Sequence, residues 1–323
     1  MTSPPFFEDL TVGTVFADAP ALTLTEGHAA LHQAICGDRL RLALERPLGE
    51  AVLGDGWAGH AFAHPALVWD VAIGQSTIAT GRVIANLFYR GLLLRRPVRL
   101  GDTLRTTTEV VARRENRSRP TGLAVLRIRT VDQEDRPVLD FSRCAMLPLR
   151  GEPTGEDGDE VGGAEDLEHD ALLKAAHGLD LAAYRSRAPG PHFADLPDGW
   201  RDEVEGGDVV DSAPALARLS LNIAMAHLDA NAAHHKRRLV YGGHTIALAA
   251  AQASRALPGL VTILGWHAAD HTAPVFEGDT LRSRLELELR EELHDGGGLV
   301  HVRSIVGNDE GDVLDWRFVG VMA

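Results

Sequence analysis

His227 lies five residues after Asn222 and two before Asp229. Imidazole is the side chain whose ordinary titration falls nearest neutrality, so His227 is a candidate for taking and returning a proton. The same position also reads as a polar residue on a helix flank. Asp38 follows Gly37 and is either an acid/base carboxylate or a turn residue. Gly242-Gly243 precede His244 and an Ala-rich apolar run; one role for such a pair is a tight backbone turn. His234-His235 suggest a metal, but the spacing fits no zinc pattern and adjacent side chains point apart in regular structure, so no metal is expected. Arg90, Arg95, Arg96, Arg237 and Arg238 suit phosphate groups or serve as surface charge.

The elements that must position these residues come in two sets. Residues 97–104 and 274–281 share the phrase P-V-x-x-G-D-T-L, 177 residues apart. Val138-Leu139-Asp140-Phe141 returns as Val313-Leu314-Asp315-Trp316, and His64-Pro65-Ala66-Leu67 has a counterpart in Gly243-His244-Thr245-Ile246. Matches in one order at nearly constant offset indicate a duplicated and fused domain; the spacing is far too long for a solenoid. Asp102 and Asp279 belong to both copies of the phrase, which marks them as turn residues of a shared scaffold.

Each half reads as a short helix, a buried helix and four strands. In the first half these are a helix from Thr23 to Gly37, an apolar helix from His64 to Gln75, and strands near 83–94, 103–111, 123–131 and 137–147. In the second half, 212–227 and 243–256 are helical in pattern, and strands fall near 260–268, 279–290, 298–307 and 312–322. Consecutive strands without intervening helices give an antiparallel sheet. A sheet curled around one buried helix is a hotdog, so the expected fold is α+β, a double hotdog. The expected units are 1–150, an acidic, Gly-rich linker over 151–195, and 196–323.

A net charge of −14 over 323 residues argues against nucleic acid as a partner. The two cysteines, Cys36 and Cys144, are far apart and read as reduced thiols of a cytoplasmic protein. The first residues lack the basic and apolar segments of a signal peptide, and no apolar run approaches the ~20 residues of a membrane span.

The P-V-x-x-G-D-T-L phrase, set after a buried helix and before a strand, resembles the MaoC-like hydratase/dehydratase family of hotdog proteins. Gly37-Asp38-Arg39, Asn86-Leu87-Phe88-Tyr89, Thr121-Gly122 and the run from Arg238 through Leu239, Val240, Tyr241, Gly242 and Gly243 to His244 are similar, more narrowly, to mesaconyl-CoA hydratases. The resemblance covers nearly the whole chain outside the linker. It implies a hydro-lyase that adds water to an enoyl-CoA or dehydrates a 3-hydroxyacyl-CoA, mesaconyl-CoA and methylmalyl-CoA being the first acyl groups to consider. Coenzyme A enters as part of the substrate, with no other cofactor, and the chain is a monomer or a homodimer.

The family pairs an Asp with a His in a G-D-x-N-P-x-H pattern and takes an oxyanion contact from an amide at the start of the buried helix. Both halves depart from that pattern. The first keeps Asp38 but has Ala43 in the histidine position, and Pro65, which has no N–H, opens its buried helix. The second keeps His227, with Asn222 in the Asp position. The resemblance therefore assigns catalysis to the second half: His227 as acid/base and Asn222 orienting water or substrate. Asp229 orients His227 or caps its helix, and Asp38 contributes only if the halves bring it close. Gly243, His244 and Tyr241 would meet the substrate. The departures leave open a hotdog acyl-CoA thioesterase or a non-catalytic acyl-CoA-binding protein.

Overall fold

The structure is a computed structural model and describes residues 3–154, 158–163 and 166–323. The first half contains two short strands, β1 (Val15–Phe16) and β2 (Leu22–Thr23), and four helices, α1 (Glu26–Cys36), α2 (Arg41–Leu44), α3 (Arg46–Leu53) and α4 (Pro65–Gln75). Four long strands follow, β3 (Ala85–Leu94), β4 (Thr103–Glu115), β5 (Thr121–Val131) and β6 (Pro137–Pro148). Helices α5 (His169–Ala176) and α6 (Leu181–Arg185) connect the halves. The second half repeats the order with β7 (Arg201–Glu203), β8 (Asp208–Val209), α7 (Ala213–Leu219), α8 (Met225–Leu228) and α9 (Gly242–Ala256). It closes with β9 (Leu260–His271), β10 (Thr280–Glu292), β11 (Gly298–Asn308) and β12 (Gly311–Met322).

Among the described residues the strands form one sheet, with the long strands in the order β4-β5-β6-β3-β9-β12-β11-β10. The two hotdog sheets join where β3 pairs antiparallel with β9, from Phe88 opposite Asp270 to Leu93 opposite Gly265. Every residue of α4 is buried, and α9 is buried from Gly243 to Ser254. Such helices have no polar face and sit inside the fold rather than on it. The halves share one core: Trp69 of α4 packs edge-on against Trp266 at 5.0 Å and Trp316 at 6.3 Å, both from the second half. Alternating strand positions such as Leu104, Thr106, Thr108 and Val110 supply the inward face, as a two-residue period requires.

The repeated phrase builds the same turn twice. Asp102 Oδ2 accepts the Arg99 amide and Asp279 Oδ2 the Phe276 amide, each at 3.0 Å. Gly101 and Gly278 adopt φ of 105° and 95°, where a side chain would be strained. A further repeat joins it: Gln75 Nε2 donates to Leu104 O at 3.0 Å, and Gln252 Nε2 to Leu281 O at 2.9 Å. These glutamines fasten each central helix to its sheet at the same place.

Two expectations are corrected. The helix over 212–227 is broken: α7 ends at Leu219, and α8 begins at Met225. Leu221 takes a positive φ of 60°, which no helix accommodates. The linker expected over 151–195 is also not a plain tether. Residues 155–157 and 164–165 lie outside the described residues, but from His169 the chain forms α5 and α6. Leu172, Ala175, Leu179, Leu181 and Tyr184 are buried in the core. In the described residues no helix is long and apolar enough to cross a membrane.

Candidate active site

The broken helix makes the site. Past Leu219 the chain turns, the Asn222 amide donates to Ala217 O at 2.8 Å, and Asn222 Oδ1 accepts the Ala224 amide at 2.9 Å. That bond fixes the side-chain amide so that its Nδ2 points away from the turn; Nδ2 is buried and has no partner among the described residues. The loop is tied to the first half by Ile223 N–H to Thr77 Oγ1 and Met225 N–H to Gly81 O, both at 2.9 Å. One turn of α8 then brings up His227. Its Nδ1 lies 2.8 Å from Leu239 O. A carbonyl can only accept, so Nδ1 carries the proton and Nε2 is left with a free lone pair. Burial pushes the His227 pKa down to about 4, against the pull of the Leu239 carbonyl and helped by the cation of Arg143.

His227 and Asn222 line one cavity of about 200 Å³. Both halves contribute to it: Asn86, Tyr89 and Arg143 from the first, and Tyr241, Gly242 and His271 from the second. Tyr241 is buried, its ring 5.9 Å from that of His227, and its hydroxyl donates to Asp70 O at 3.0 Å. The cavity reaches the start of α9, where Tyr241 provides no side-chain cap and the amides of Gly242 and Gly243 have no backbone partner among the described residues. A Cβ on Gly242 would come within 2.7 Å of His271 Nε2 and 3.3 Å of the Tyr89 hydroxyl. Only glycine lets the helix end come that close to these two side chains. His271 Nε2 is buried without a hydrogen-bond partner among the described residues, and burial pushes its pKa down to about 4.

The other residues singled out from sequence lie elsewhere. Gly243 and His244 do not line the cavity; the His244 amide is already donated to Tyr241 O at 2.9 Å, so Gly242 takes the place expected of them. Asp229 does not orient His227: it is exposed, and its Oδ1 accepts the Asn231 amide at 2.8 Å, a turn cap. Asp38 is buried away from the cavity, with Oδ1 accepting the Leu40 amide at 2.5 Å and Oδ2 lying 3.0 Å from His64 Nε2. Burial opposes its ionisation, but His64 and the Leu40 amide outweigh it and hold the carboxyl below the usual range. Beside this pair, His32 meets Asp70 at 3.1 Å, so Asp38 belongs to a buried structural network. His235 lines the outer cavity as an exposed residue. No group of metal-ligating side chains is found among the described residues.

Arg143, His271, Asn86 and Gly242 were not legible as site residues from type and spacing, although Asn86 and Tyr89 fall in a motif that carried the family resemblance. A usable signal lay in the repeat itself. The buried helices align at an offset of 177, Pro65 with Gly242 and Gln75 with Gln252, and not with His64 against Gly243 as expected from sequence. The wall of the cavity, moved by 177 residues, maps onto a second cavity. Leu239, Val240, Gly242 and Thr245 become Phe62, Ala63, Pro65 and Val68; His271, Pro274 and Val275 become Leu94, Pro97 and Val98. Ala85, Asn86 and Leu87 become Thr262, Ile263 and Leu264. The second cavity has shrunk to about 20 Å³ and is walled by Ala175 of α5 and by Leu179. One of two pseudo-equivalent sites is thus open and polar, and the other, apart from Thr262 and Arg96, is apolar and narrowed by the connecting segment.

No family model matches the chain. It is similar to β-methylmalyl-CoA dehydratase of Chloroflexus aurantiacus, 29% identical over 290 residues, covering 87% of this chain and 81% of that protein. It is equally similar to mesaconyl-CoA hydratase of Cereibacter sphaeroides, 29% identical over 306 residues, covering 93% and 88%. Among solved structures, a conserved hypothetical protein of Mycobacterium tuberculosis with a double hotdog fold is 49% identical, with a TM-score of 0.89 over 99% of this chain and 98% of that one. A putative MaoC domain dehydratase of Chloroflexus aurantiacus is 26% identical, with a TM-score of 0.86 over 100% and 99%. Two fused hotdogs, a histidine and an amide in the positions of the catalytic pair, and these relatives along nearly the whole length agree: the chain belongs to the MaoC-like hydratase/dehydratase family.

Proposed function

We propose that this protein is an enoyl-CoA hydratase, working equally as a 3-hydroxyacyl-CoA dehydratase, on a short acyl chain of the mesaconyl or β-methylmalyl kind. The observation that carries the reading is the convergence on one cavity of a histidine with a free Nε2, an unpartnered amide donor on Asn222 and the uncapped start of α9. In the hydration direction, His227 Nε2 takes a proton from water as the oxygen bonds to C3. The electrons of the double bond move onto the thioester oxygen, which Gly242 N–H and the positive end of the helix stabilise. The enolate then regains a double-bonded carbonyl as C2 takes a proton from the imidazolium. Asn222 donates through Nδ2 to the water or hydroxyl and so positions it. It has no proton to exchange at neutral pH, which leaves both transfers to His227.

The test is absorbance at the enoyl-thioester band with crotonyl-CoA and mesaconyl-CoA, run beside an assay for free thiol. Loss of the band without thiol release is expected. Loss of the band matched by an equal amount of free thiol would sink the hydratase reading in favour of a thioesterase, because cleaving the thioester also destroys the chromophore. Replacing His227 by Ala should then cost about 10²–10⁴-fold in rate, the usual worth of a positioned acid/base. Full activity in that variant would refute the role given to His227.

A further inference from the structure

Arg143 lies on β6 and is 2% exposed. Its guanidinium has only neutral partners: Nη2 donates to Thr80 Oγ1 at 2.7 Å and to Ser76 O at 3.3 Å, and Nη1 to Asn86 Oδ1 at 3.4 Å. Nε is buried with no hydrogen-bond partner among the described residues. Among the described residues no carboxylate pairs with it. A buried cation without an anion is costly, and proteins keep one where something else supplies the charge. Arg143 also lines the cavity that holds His227.

The duplication provides an internal control. In the sheet, Tyr89 pairs with Arg143 as Trp266 pairs with Phe318, so Phe318 occupies the position of Arg143 in the second half. Thr80 and Asn86, moved by 177 residues, become Leu257 and Ile263. The positions of the polar nest are thus apolar in the second half, and the nest is present only beside the open cavity. A scaffold requirement for arginine would apply to both halves; a ligand requirement applies to one.

We infer that Arg143 binds a free carboxylate at the far end of the acyl chain, so that the substrate is the CoA thioester of a short, unsaturated dicarboxylic acid or its hydroxylated counterpart. The guanidinium offers the carboxylate its positive charge and its unused donors, Nε–H and one N–H of Nη1, while His227 faces the double bond from the other half. This rests on the hydro-lyase reading above for the reaction, but not for the binding. Arg143 here is a specificity residue and takes no part in proton transfer.

The experiment uses matched thioesters in which a methyl group replaces the distal carboxylate. In wild type, kcat/KM for mesaconyl-CoA should exceed that for 2-methylcrotonyl-CoA by about 100-fold or more, because a site built around a buried charge rejects a ligand that leaves it unpaired. Arg143→Met should lower kcat/KM for mesaconyl-CoA about 100-fold and bring the ratio of the two substrates to within about threefold of unity. Arg143→Lys should recover part of the loss. A parallel fall with both substrates overturns the assignment and makes Arg143 structural. Calorimetric binding of the unreactive pair, 2-methylsuccinyl-CoA and 2-methylbutyryl-CoA, to wild type decides the matter even if the variants do not fold. Equal affinity overturns the assignment, and a clear preference for the dicarboxylic member upholds it. If wild type hydrates neither enoyl thioester yet keeps that preference, the reaction is wrong and the carboxylate anchor stands.

Discussion

His227 reaches the cavity with its tautomer chosen and its charge suppressed. Nδ1 is committed to Leu239 O, and burial holds the pKa near 4. A base must be unprotonated to act, so kcat/KM for hydration should be flat from neutrality down to about pH 5 and fall about tenfold per unit below about pH 4. A pH–rate profile checks this; an acid limb near the ordinary histidine value of about 6.5 would mean that the ring is solvated. Asn222 allows a second test of the same electrostatics. Asn222→Asp places a carboxylate on the cavity wall, where an anion favours the imidazolium. The acid limb should therefore move upward by about one unit or more, while the loss of the Nδ2 donor lowers the plateau. An unmoved limb would show that residue 222 and His227 do not share one electrostatic environment.

The start of α9 is where an element does the work of a residue. Gly242→Ala adds a better helix former, worth at most about 1 kcal/mol. It also drives a Cβ to 2.7 Å from His271 Nε2 and 3.3 Å from the Tyr89 hydroxyl. The outcome expected is a stable protein with kcat/KM down about tenfold or more, since a displacement of about 1 Å at the reacting groups costs that much. Parallel melting curves and kinetics separate the two effects. The connecting segment after α5 calls for the opposite result. Leu179→Ala empties part of the filled cavity and should cost about 2–4 kcal/mol in chemical denaturation, with kcat/KM within about twofold, because Leu179 does not line the open cavity. These elements also show what a sequence can carry. The long strands and both buried helices are set by local periodicity and by a repeat that preserves their turns, and they lie within a few residues of where alternation placed them. The break at Ser220–Ala224 is imposed from a distance, by Thr77 and Gly81 of the other half, and no local pattern encodes it. His227 and Asn222 were legible because their family pattern is local. Arg143 and His271 were not, because strand alternation tells which residues share a face without telling which face meets the other half.

At the scale of the molecule, duplication has turned a symmetric pair of sites into one site and one plug. The two halves still hold their turns, glutamine clamps and central helices in common, so the scaffold stayed under one constraint while the cavities diverged. Asp38 and Asn222 mark that division. Asp38 retained the carboxylate of the family's pair but spends it on His64 and the Leu40 amide. Asn222 lost the carboxylate but retained the cavity. A chain with one working cavity should bind one equivalent of 2-methylsuccinyl-CoA in calorimetric titration. Asp38→Asn should leave both that stoichiometry and the hydration rate within about twofold, while lowering stability by about 1–3 kcal/mol as His64 loses its anion. His227→Ala should do the reverse in activity, abolishing turnover. At neutral pH it should cost about 1–3 kcal/mol of stability through the lost ring and the Leu239 hydrogen bond. That cost shrinks as pH falls from about 6.5 toward about 4, where the histidine held neutral by burial opposes folding. Two equivalents bound per chain, or a loss of turnover in Asp38→Asn comparable to that in His227→Ala, would mean that the half with the plug still carries chemistry and that the connecting segment moves aside to admit a substrate.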